Sequence, residues 1–403
     1  MNRIVIIGGG QSGAGAAIAL RGHGFSGEIT LVGREDLPPY ERPALSKTYL
    51  AGDAALEKLV CLAPTQVAER NLRVLAGREC VAIDRVAGMV RLADGDSLAY
   101  DRLILATGGE ARSFPGLEPD RDRVFVIRTV ADADALRARL RASRSLLVIG
   151  GGWLGLETAA TAIKLGLAVD VVEAADRLCA RAAPPGLSAF LADLHRRNGV
   201  RLHLSAALAG LERGADGVVA RLADGRTLAA DAALVAVGLT PSTDLARAAG
   251  LAVDDGILTA LDGRTSDPAI WAIGDCARYE HPFLARSVRL ESWQNANQTA
   301  DRAARSIQGL APPVDDPPWF WSDQHGRNVQ ILGRTPDTAA RLERGLPDAP
   351  LTLFLEDGRL VGMVGVDAAR DIAMARKLVA ETARLDPARA ADPSTPLRNA
   401  VLR

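Results

Sequence analysis

The stretches "IVIIGGGQSGAG" (residues 4–15) and "LVIGGGWLGLE" (residues 147–157) are two versions of one sentence, 142 residues apart. Each is a short β-branched run, a turn with glycines at the first, third and sixth places, and the opening of an alanine-rich helix. In the first copy the glycines are Gly8, Gly10 and Gly13; in the second, Gly150, Gly152 and Gly155. The first glycine permits a tight turn, the second lets backbone approach a pyrophosphate, and the third lets helix and strand pack closely. The helix N-terminus then presents unpaired N–H groups and a positive dipole end to the phosphates. A lone glycine turn carries little weight, but strand, turn and helix in this order, twice, point to two dinucleotide sites. A chain with two such sites is built to pass electrons from one dinucleotide to another.

The surrounding pattern agrees. Ile4–Ile7 reads as a strand, Ser12–His23 as a helix and Ile29–Val32 as the next strand; the order restarts with Leu146–Ile149, a helix to about Leu165 and a strand Val169–Glu173. Strands alternating with helices indicate βαβ units on parallel sheets. "LILATGG" (103–109) and "ALVAVGLTP" (233–241) are near-continuous apolar runs, as strands buried on both faces require. The proline-rich "APPVDDPPWFW" (311–321) reads as a linker. After it, "LTLFLEDGRLVGMVGVD" predicts a hairpin turning at Asp357-Gly358, then a helix from about Ala368 to Arg384. The expected fold class is α/β, with two Rossmann-like dinucleotide-binding domains and a C-terminal α+β domain.

An acid at the end of the second strand of each unit would bond a ribose hydroxyl. Glu35 lies 22 residues past Gly13, with Arg34 just before it; Glu173 lies 18 past Gly155. A carboxylate at the second site repels a 2′-phosphate, so NADH is expected there in preference to NADPH.

Bulk properties narrow the setting. The 403 residues are 48% hydrophobic and 24% charged, with 48 basic side chains against 49 acidic, so no global field draws in nucleic acid or a membrane surface. The opening apolar run is four residues long and no stretch approaches the ~20 needed to span a bilayer, so a cytoplasmic protein is expected. Cys61, Cys80, Cys179 and Cys276 are far apart, with no redox Cys-x-x-Cys and no zinc spacing, and the five histidines form no cluster.

Further motifs make the reading specific: "PPYERPALSK" (38–47), "LILATGGEAR" (103–112), "IRTVADADAL" (127–136) and "VIGGGWLGLETAATA" (148–162). "TSDPAIWAIGDCAR" (265–278), "LESWQNANQTA" (290–300) and "PWFWSDQ" (318–324) follow. Along its full length the chain resembles the two-dinucleotide flavin reductases, more narrowly the ferredoxin reductases of bacterial oxygenase systems. The resemblance implies an FAD domain of residues 1–112 and 241–313, an inserted NADH domain of 113–240 and a C-terminal domain of 314–403. It places FAD on the first turn, with Gly8, Gly10, Ser12 and Gly13, and brings Ala106, Thr107, Gly108 and Gly274 to it. Asp275 would bond the ribityl chain, Glu35 the ribose, and Lys47 would approach the isoalloxazine ring. Arg42 and Arg128 would serve the phosphates or nearby structure, Cys80 would meet adenine through its backbone, and Trp293, Trp319, Phe320 and Trp321 would lie near the flavin edge. NADH would sit on Gly150, Gly152, Leu154 and Gly155, with Glu173 and Gly238.

Hydride passes between nicotinamide and flavin, and the protein supplies placement and electrostatics. Relatives that reduce disulfides need a cysteine pair beside the flavin, which the sequence lacks. The expected outlet is a one-electron carrier, a 2Fe–2S ferredoxin, docking on a basic patch for which Arg278, Arg286 and Arg289 are candidates. Lys47 and Glu157 are expected to pair beside flavin N5, and Trp153 to cover the flavin face and swing aside for NADH. A rubredoxin reductase and an NADH-responsive redox sensor are the alternatives; an oxidase or peroxidase would need an early flavin-proximal cysteine, and nothing after "LSK" supplies it.

Overall fold

Strand Arg3–Ile7 is buried at every position after its first, and it pairs in parallel with Glu28–Val32 on one side and Arg102–Leu105 on the other. A computed structural model describes residues 2–113, 118–313 and 316–402, and the chain divides into two units. The first comprises Met1–Arg42, Leu56–Glu110 and Thr240–Asp315. Its central sheet runs Ile270–Ala272, Arg102–Leu105, Arg3–Ile7, Glu28–Val32, Arg73–Leu75, every pair parallel. One face packs Ile4, Ile6, Ile29 and Leu31 against Ala16, Ala17 and Leu20 of helix Gln11–Gly22, and against Ala300, Ala303, Ala304 and Ile307 of helix Trp293–Gln308. The other face carries Val5, Ile7, Val32, Leu103 and Leu105. Burial on both faces is why these strands read as unbroken apolar runs.

The second unit comprises Pro43–Ala55, Ala111–Leu239 and Asp316–Arg403. Its parallel sheet runs Arg201–His203, Ala168–Val172, Ser145–Ile149, Ala232–Val235, Val124–Phe125. Helix Trp153–Lys164 follows the central strand, as Gln11–Gly22 does in the first unit. A five-stranded antiparallel sheet, in the order Trp319–Gln324, Arg327–Gly333, Arg359–Val366, Leu351–Glu356, Ala340–Glu343, completes the unit. Val329, Phe354, Val361 and Val364 of this sheet share one core with Leu156, Leu178, Leu187 and Leu191 of the nucleotide-binding half.

The predicted hairpin is present: Leu351–Glu356 and Arg359–Val366 are joined by Asp357 and Gly358, both at positive φ, the geometry of a type I′ turn. The helix expected after the hairpin is Ala369–Ala380, shorter than expected; Thr382 at φ 49° ends it, and a short helix Pro387–Ala391 follows. The linker reading of "APPVDDPPWFW" is corrected at its end, because Trp319, Phe320 and Trp321 open a six-residue strand. The prolines stop at the strand's edge, and the aromatic residues after them suit a pleated, half-buried surface. Residues 314–315 of that segment, and the boundary expected at 313/314, lie outside the described residues. No helix among the described residues is long and apolar enough to cross a membrane.

Candidate dinucleotide and electron-transfer site

In the first unit, Gly8 sits at φ +124°, and a Cβ there would lie 2.1 Å from the Ala106 carbonyl oxygen; only glycine lets the turn press against the neighbouring strand end. A Cβ on Gly13 would lie 2.0 Å from the Gly8 carbonyl oxygen, so helix and turn are in direct backbone contact. Gly10 is the opposite case: a Cβ there would meet nothing within 4 Å. Gly10 is also the N-cap of the helix and provides no side-chain cap, so the first N–H groups face open space. That combination, crowded at two glycines and open at the middle one, is the cradle a pyrophosphate needs, and the residues fit a bound dinucleotide.

The first unit holds most of the residues expected for FAD. Ser12 is buried, and Gly274 is packed so closely on it that a Cβ would lie 2.5 Å from its Oγ. Gly274 N–H donates to Thr299 Oγ1 at 2.9 Å, and Asp275 follows in the same 3-10 turn. Thr107 Oγ1 donates to the Ser242 carbonyl at 2.7 Å, and Gly108 accepts from Ser242 N–H at 3.0 Å. Trp293 opens helix Trp293–Gln308 and donates its indole N–H to Glu41 at 3.0 Å. Cys80 starts strand Cys80–Asp84, and burial pushes its thiol up to about 11. Glu35 accepts from Tyr40 Oη at 2.5 Å on one oxygen and from Arg42 at 2.7 Å on the other. Burial opposes charge on the Arg42 guanidinium, but Tyr40 and Glu35 outweigh it and hold its pKa above the ordinary value. Arg34 pairs with Glu110 at the surface.

Lys47, Arg128 and Trp321, also expected for FAD, belong to the second unit. Arg128 lies just before Thr129, the N-cap of helix Val130–Arg141, and its backbone N–H donates to Asp132 at 3.2 Å. Trp321 stacks on Trp319 with ring centroids 5.0 Å apart and planes 18° apart.

The second turn repeats the first. Gly150 has φ +110° and a would-be Cβ 2.3 Å from the Ala236 carbonyl oxygen; Gly155 abuts the Gly150 carbonyl, and Gly152 faces open space as an N-cap without a side-chain bond. Leu154 is the second residue of the helix, and Gly238 lies in the turn after strand Ala232–Val235. Glu173, one residue past its strand, accepts the Gly151 N–H at 2.7 Å and the Ala175 N–H at 2.8 Å, so the acid is anchored to the turn it would serve.

Glu157, on the same helix and only 6% exposed, has polar partners on both of its oxygens. Its Oε2 lies 2.9 Å from Lys47 Nζ and accepts from Ser46 Oγ at 2.5 Å; its Oε1 accepts from Ser322 Oγ at 2.6 Å. The pairing anticipated from the sequence is therefore formed, and two hydroxyls that sequence reasoning missed complete it. A buried charge survives only when paired and hydrogen-bonded, and this one has both. Trp153, half-buried at the start of the helix, packs on Phe320 with centroids 5.0 Å apart and planes tilted 41°.

The expected docking patch needs correction. Arg278 is matched by Asp254 at 2.8 Å, and Arg289 by Asp255 at 3.2 Å and Glu291 at 2.6 Å. Close acids cancel the field of both, leaving Arg286 as the exposed arginine of the three. The cysteines are all free; burial pushes Cys61 up to about 12 and raises Cys179 and Cys276.

Two glycine cradles on parallel sheets, a buried Lys–Glu pair and an antiparallel C-terminal sheet define a class, and the chain belongs to the pyridine nucleotide-disulphide oxidoreductase family, whose model matches residues 2–300. A reductase C-terminal model matches residues 319–401. Among individual proteins the chain is similar to the rhodocoxin reductase of Rhodococcus erythropolis, 41% identical over 99% of this chain and 94% of that one. It is 39% identical to the ferredoxin–NAD(+) reductase component of the p-cumate 2,3-dioxygenase system of Pseudomonas putida, covering 100% of this chain and 99% of that one. The covalent putidaredoxin reductase–putidaredoxin complex matches with a TM-score of 0.94 and 36% identity over 98% of this chain and 97% of that chain.

Proposed function

We propose that the chain is an NADH:ferredoxin oxidoreductase that takes hydride from NADH onto FAD and passes the electrons singly to a 2Fe–2S ferredoxin feeding an oxygenase. The observation that carries this reading is the pair of matching cradles, each crowded at its outer glycines and open at the middle one. FAD belongs on the first cradle with Gly8, Gly10, Ser12, Gly13, Glu35 and Asp275, and NADH on the second with Gly150, Gly152, Gly155 and Glu173. The bound flavin supplies the step from two-electron to one-electron chemistry. The protein's part is placement. Lys47, held by Glu157, sets the charge at the flavin's reactive edge and orients the nicotinamide; Glu173 reads the ribose and disfavours a 2′-phosphate. Trp153 covers the face where nicotinamide must stack and moves aside for it. The division into an FAD domain (1–112 and 241–313), an NADH domain (113–240) and a C-terminal domain (314–403), and a cytoplasmic location, are part of the same proposal.

The test is NADH-driven reduction of cytochrome c through added ferredoxin. Turnover that requires both the flavoprotein and an oxygenase-type 2Fe–2S ferredoxin supports the assignment. Flavin that NADH reduces but no ferredoxin or rubredoxin reoxidises would replace it with a redox sensor.

A further inference from the structure

Glu157 is the end of a longer chain of contacts. Ser322 Oγ, which donates to Glu157, lies 2.9 Å from Gln324 Nε2; Gln324 Oε1 lies 2.8 Å from His195 Nε2; and His195 Nδ1 lies 3.2 Å from His325 Nε2. The members come from helix Trp153–Lys164, strand Trp319–Gln324, helix Pro185–Arg197 and the turn after Gln324, all in the second unit. Glu157, Ser322, Gln324 and His195 are buried, His195 completely.

Donor and acceptor chemistry leaves this chain one direction. An ionised carboxylate only accepts, so Ser322 must donate its hydroxyl proton to Glu157. Ser322 Oγ then accepts from the Gln324 amide nitrogen, which turns the Gln324 carbonyl oxygen toward His195. His195 must carry its proton on Nε2 to donate to that oxygen. Burial keeps His195 below its ordinary pKa and, with His195 alongside, takes His325 down to about 4, so both rings are neutral at neutral pH. His195 Nδ1 is therefore an acceptor, and His325 donates to it from Nε2, the two rings meeting edge-on with centroids 4.5 Å apart. His325 occupies the first place of a two-residue hairpin turn at φ 50°, with Gly326 at φ 73°, where Asn is the favoured residue. A histidine held in that conformation supplies the donor that His195 lacks.

We infer that His325, His195, Gln324 and Ser322 form a one-way hydrogen-bond chain that orients the Glu157 carboxylate with Oε2 turned to Lys47, and that His195 is a positioning residue for hydride transfer. The chain carries orientation rather than protons, because the Gln324 amide stands in its middle and would have to change tautomer to pass one. The role in hydride transfer rests on the reading of Lys47 and Glu157 given under Proposed function; the direction of the chain does not.

The test has two arms. In the flavin-loaded protein with isotope-labelled histidine, nitrogen NMR at neutral pH should show His195 and His325 both as neutral Nε2–H tautomers; an Nδ1–H tautomer or a charged ring at His195 overturns the chain. This arm needs no variant, so it stands even if a substitution at His195 fails to fold. In the second arm, stopped-flow bleaching of the flavin by NADH should slow roughly 3- to 10-fold in His195→Phe, with NADH affinity unchanged, the worth of one buried hydrogen bond expressed as a rate. His195→Gln, which restores a donor toward Gln324, should recover most of that loss. Equal rates in the two variants and the unmodified protein overturn the positioning role. Glu157→Gln separates the two readings. If it leaves hydride transfer unchanged, the Lys47–Glu157 assignment falls while the tautomer result keeps its own meaning. If it slows transfer and His195→Phe does not, the chain is the part that is wrong.

Discussion

Gln11 and Trp153 hold the same place in the two glycine turns, the first residue of each helix, yet they belong to different kinds of structure. Gln11 donates to Asn297 at 2.9 Å on the helix packed beside its own, while Trp153 presses an indole on Phe320. The acids differ in the same way. Both oxygens of Glu173 accept N–H groups of the second turn and the loop just beyond its strand, whereas Glu35 is held by Tyr40 and Arg42. Even the buried ladder differs: Thr30 faces Val5 where Asp170 faces Leu147. The glycine positions are alike because backbone sterics leave no choice at them. Everything that selects a ligand or sets a charge is a side chain, and there the two copies have parted.

Two substitutions should strain the shared part. Gly8→Ala and Gly150→Ala each place a Cβ about 2 Å from a carbonyl oxygen at a φ that L side chains rarely adopt. Each should cost roughly 2–5 kcal/mol, read from denaturant or thermal unfolding. Their functional outcomes should separate. Gly8→Ala should lose bound flavin, while Gly150→Ala should stay yellow but no longer be bleached by NADH. Loss of flavin from both would erase the distinction between an FAD cradle and an NADH cradle.

The next effect is smaller and depends on pH. Burial alone would raise the Asp170 pKa, but hydrogen bonds from Arg201 and His203 and their charge outweigh it, and the carboxyl titrates below its ordinary range. A group whose folded pKa is depressed stabilises the fold above its unfolded pKa, about 3.9 for Asp, and that contribution disappears as pH falls through the folded value. Asp170→Asn should therefore cost about 1–2 kcal/mol from pH 5 to 8, with the gap to the unmodified protein closing as pH falls below about 4. Thr30→Val, at the matching place in the first sheet, should show no such dependence. A pH-independent deficit in Asp170→Asn would mean that its side chain matters for packing rather than charge.

Much of this was legible before the fold was seen, and the reason lies in range. The glycine turns, the acid at 173, and the Asp357-Gly358 hairpin are encoded within about 20 residues, where local sterics decide conformation. Lys47 and Glu157 are 110 positions apart, yet each sits in a motif whose chemistry calls for a charge. Nothing comparable marks His195. It is one histidine on an amphipathic helix until the C-terminal sheet brings Gln324 and His325 to it from about 130 residues away. Strand Trp319–Gln324 was masked by the prolines before it. Arg278 and Arg289 read as free cations because the pairing of Arg278 with Asp254 and of Arg289 with Asp255 depends on tertiary packing that composition does not display.

The smallest effect is expected where the two turns began to differ. Gln11→Ala removes one half-exposed hydrogen bond, so stability should fall by less than about 1 kcal/mol and flavin reduction by NADH should be unchanged. Trp153→Ala removes an indole that packs on Phe320, a pair worth about 0.5–1.5 kcal/mol beyond its buried area. Packing by itself predicts a drop in stability and nothing else. A gate predicts that NADH affinity, the rate of flavin bleaching, or both change several-fold while the spectrum of the oxidised flavin shows altered shielding. Trp153→Phe then decides between them, since it keeps a ring against Phe320 but covers less area. If Trp153→Phe restores stability and leaves the altered NADH kinetics, the indole acts on the nucleotide; if it restores both together, Trp153 is a packing residue and the second turn differs from the first only in what lies against it.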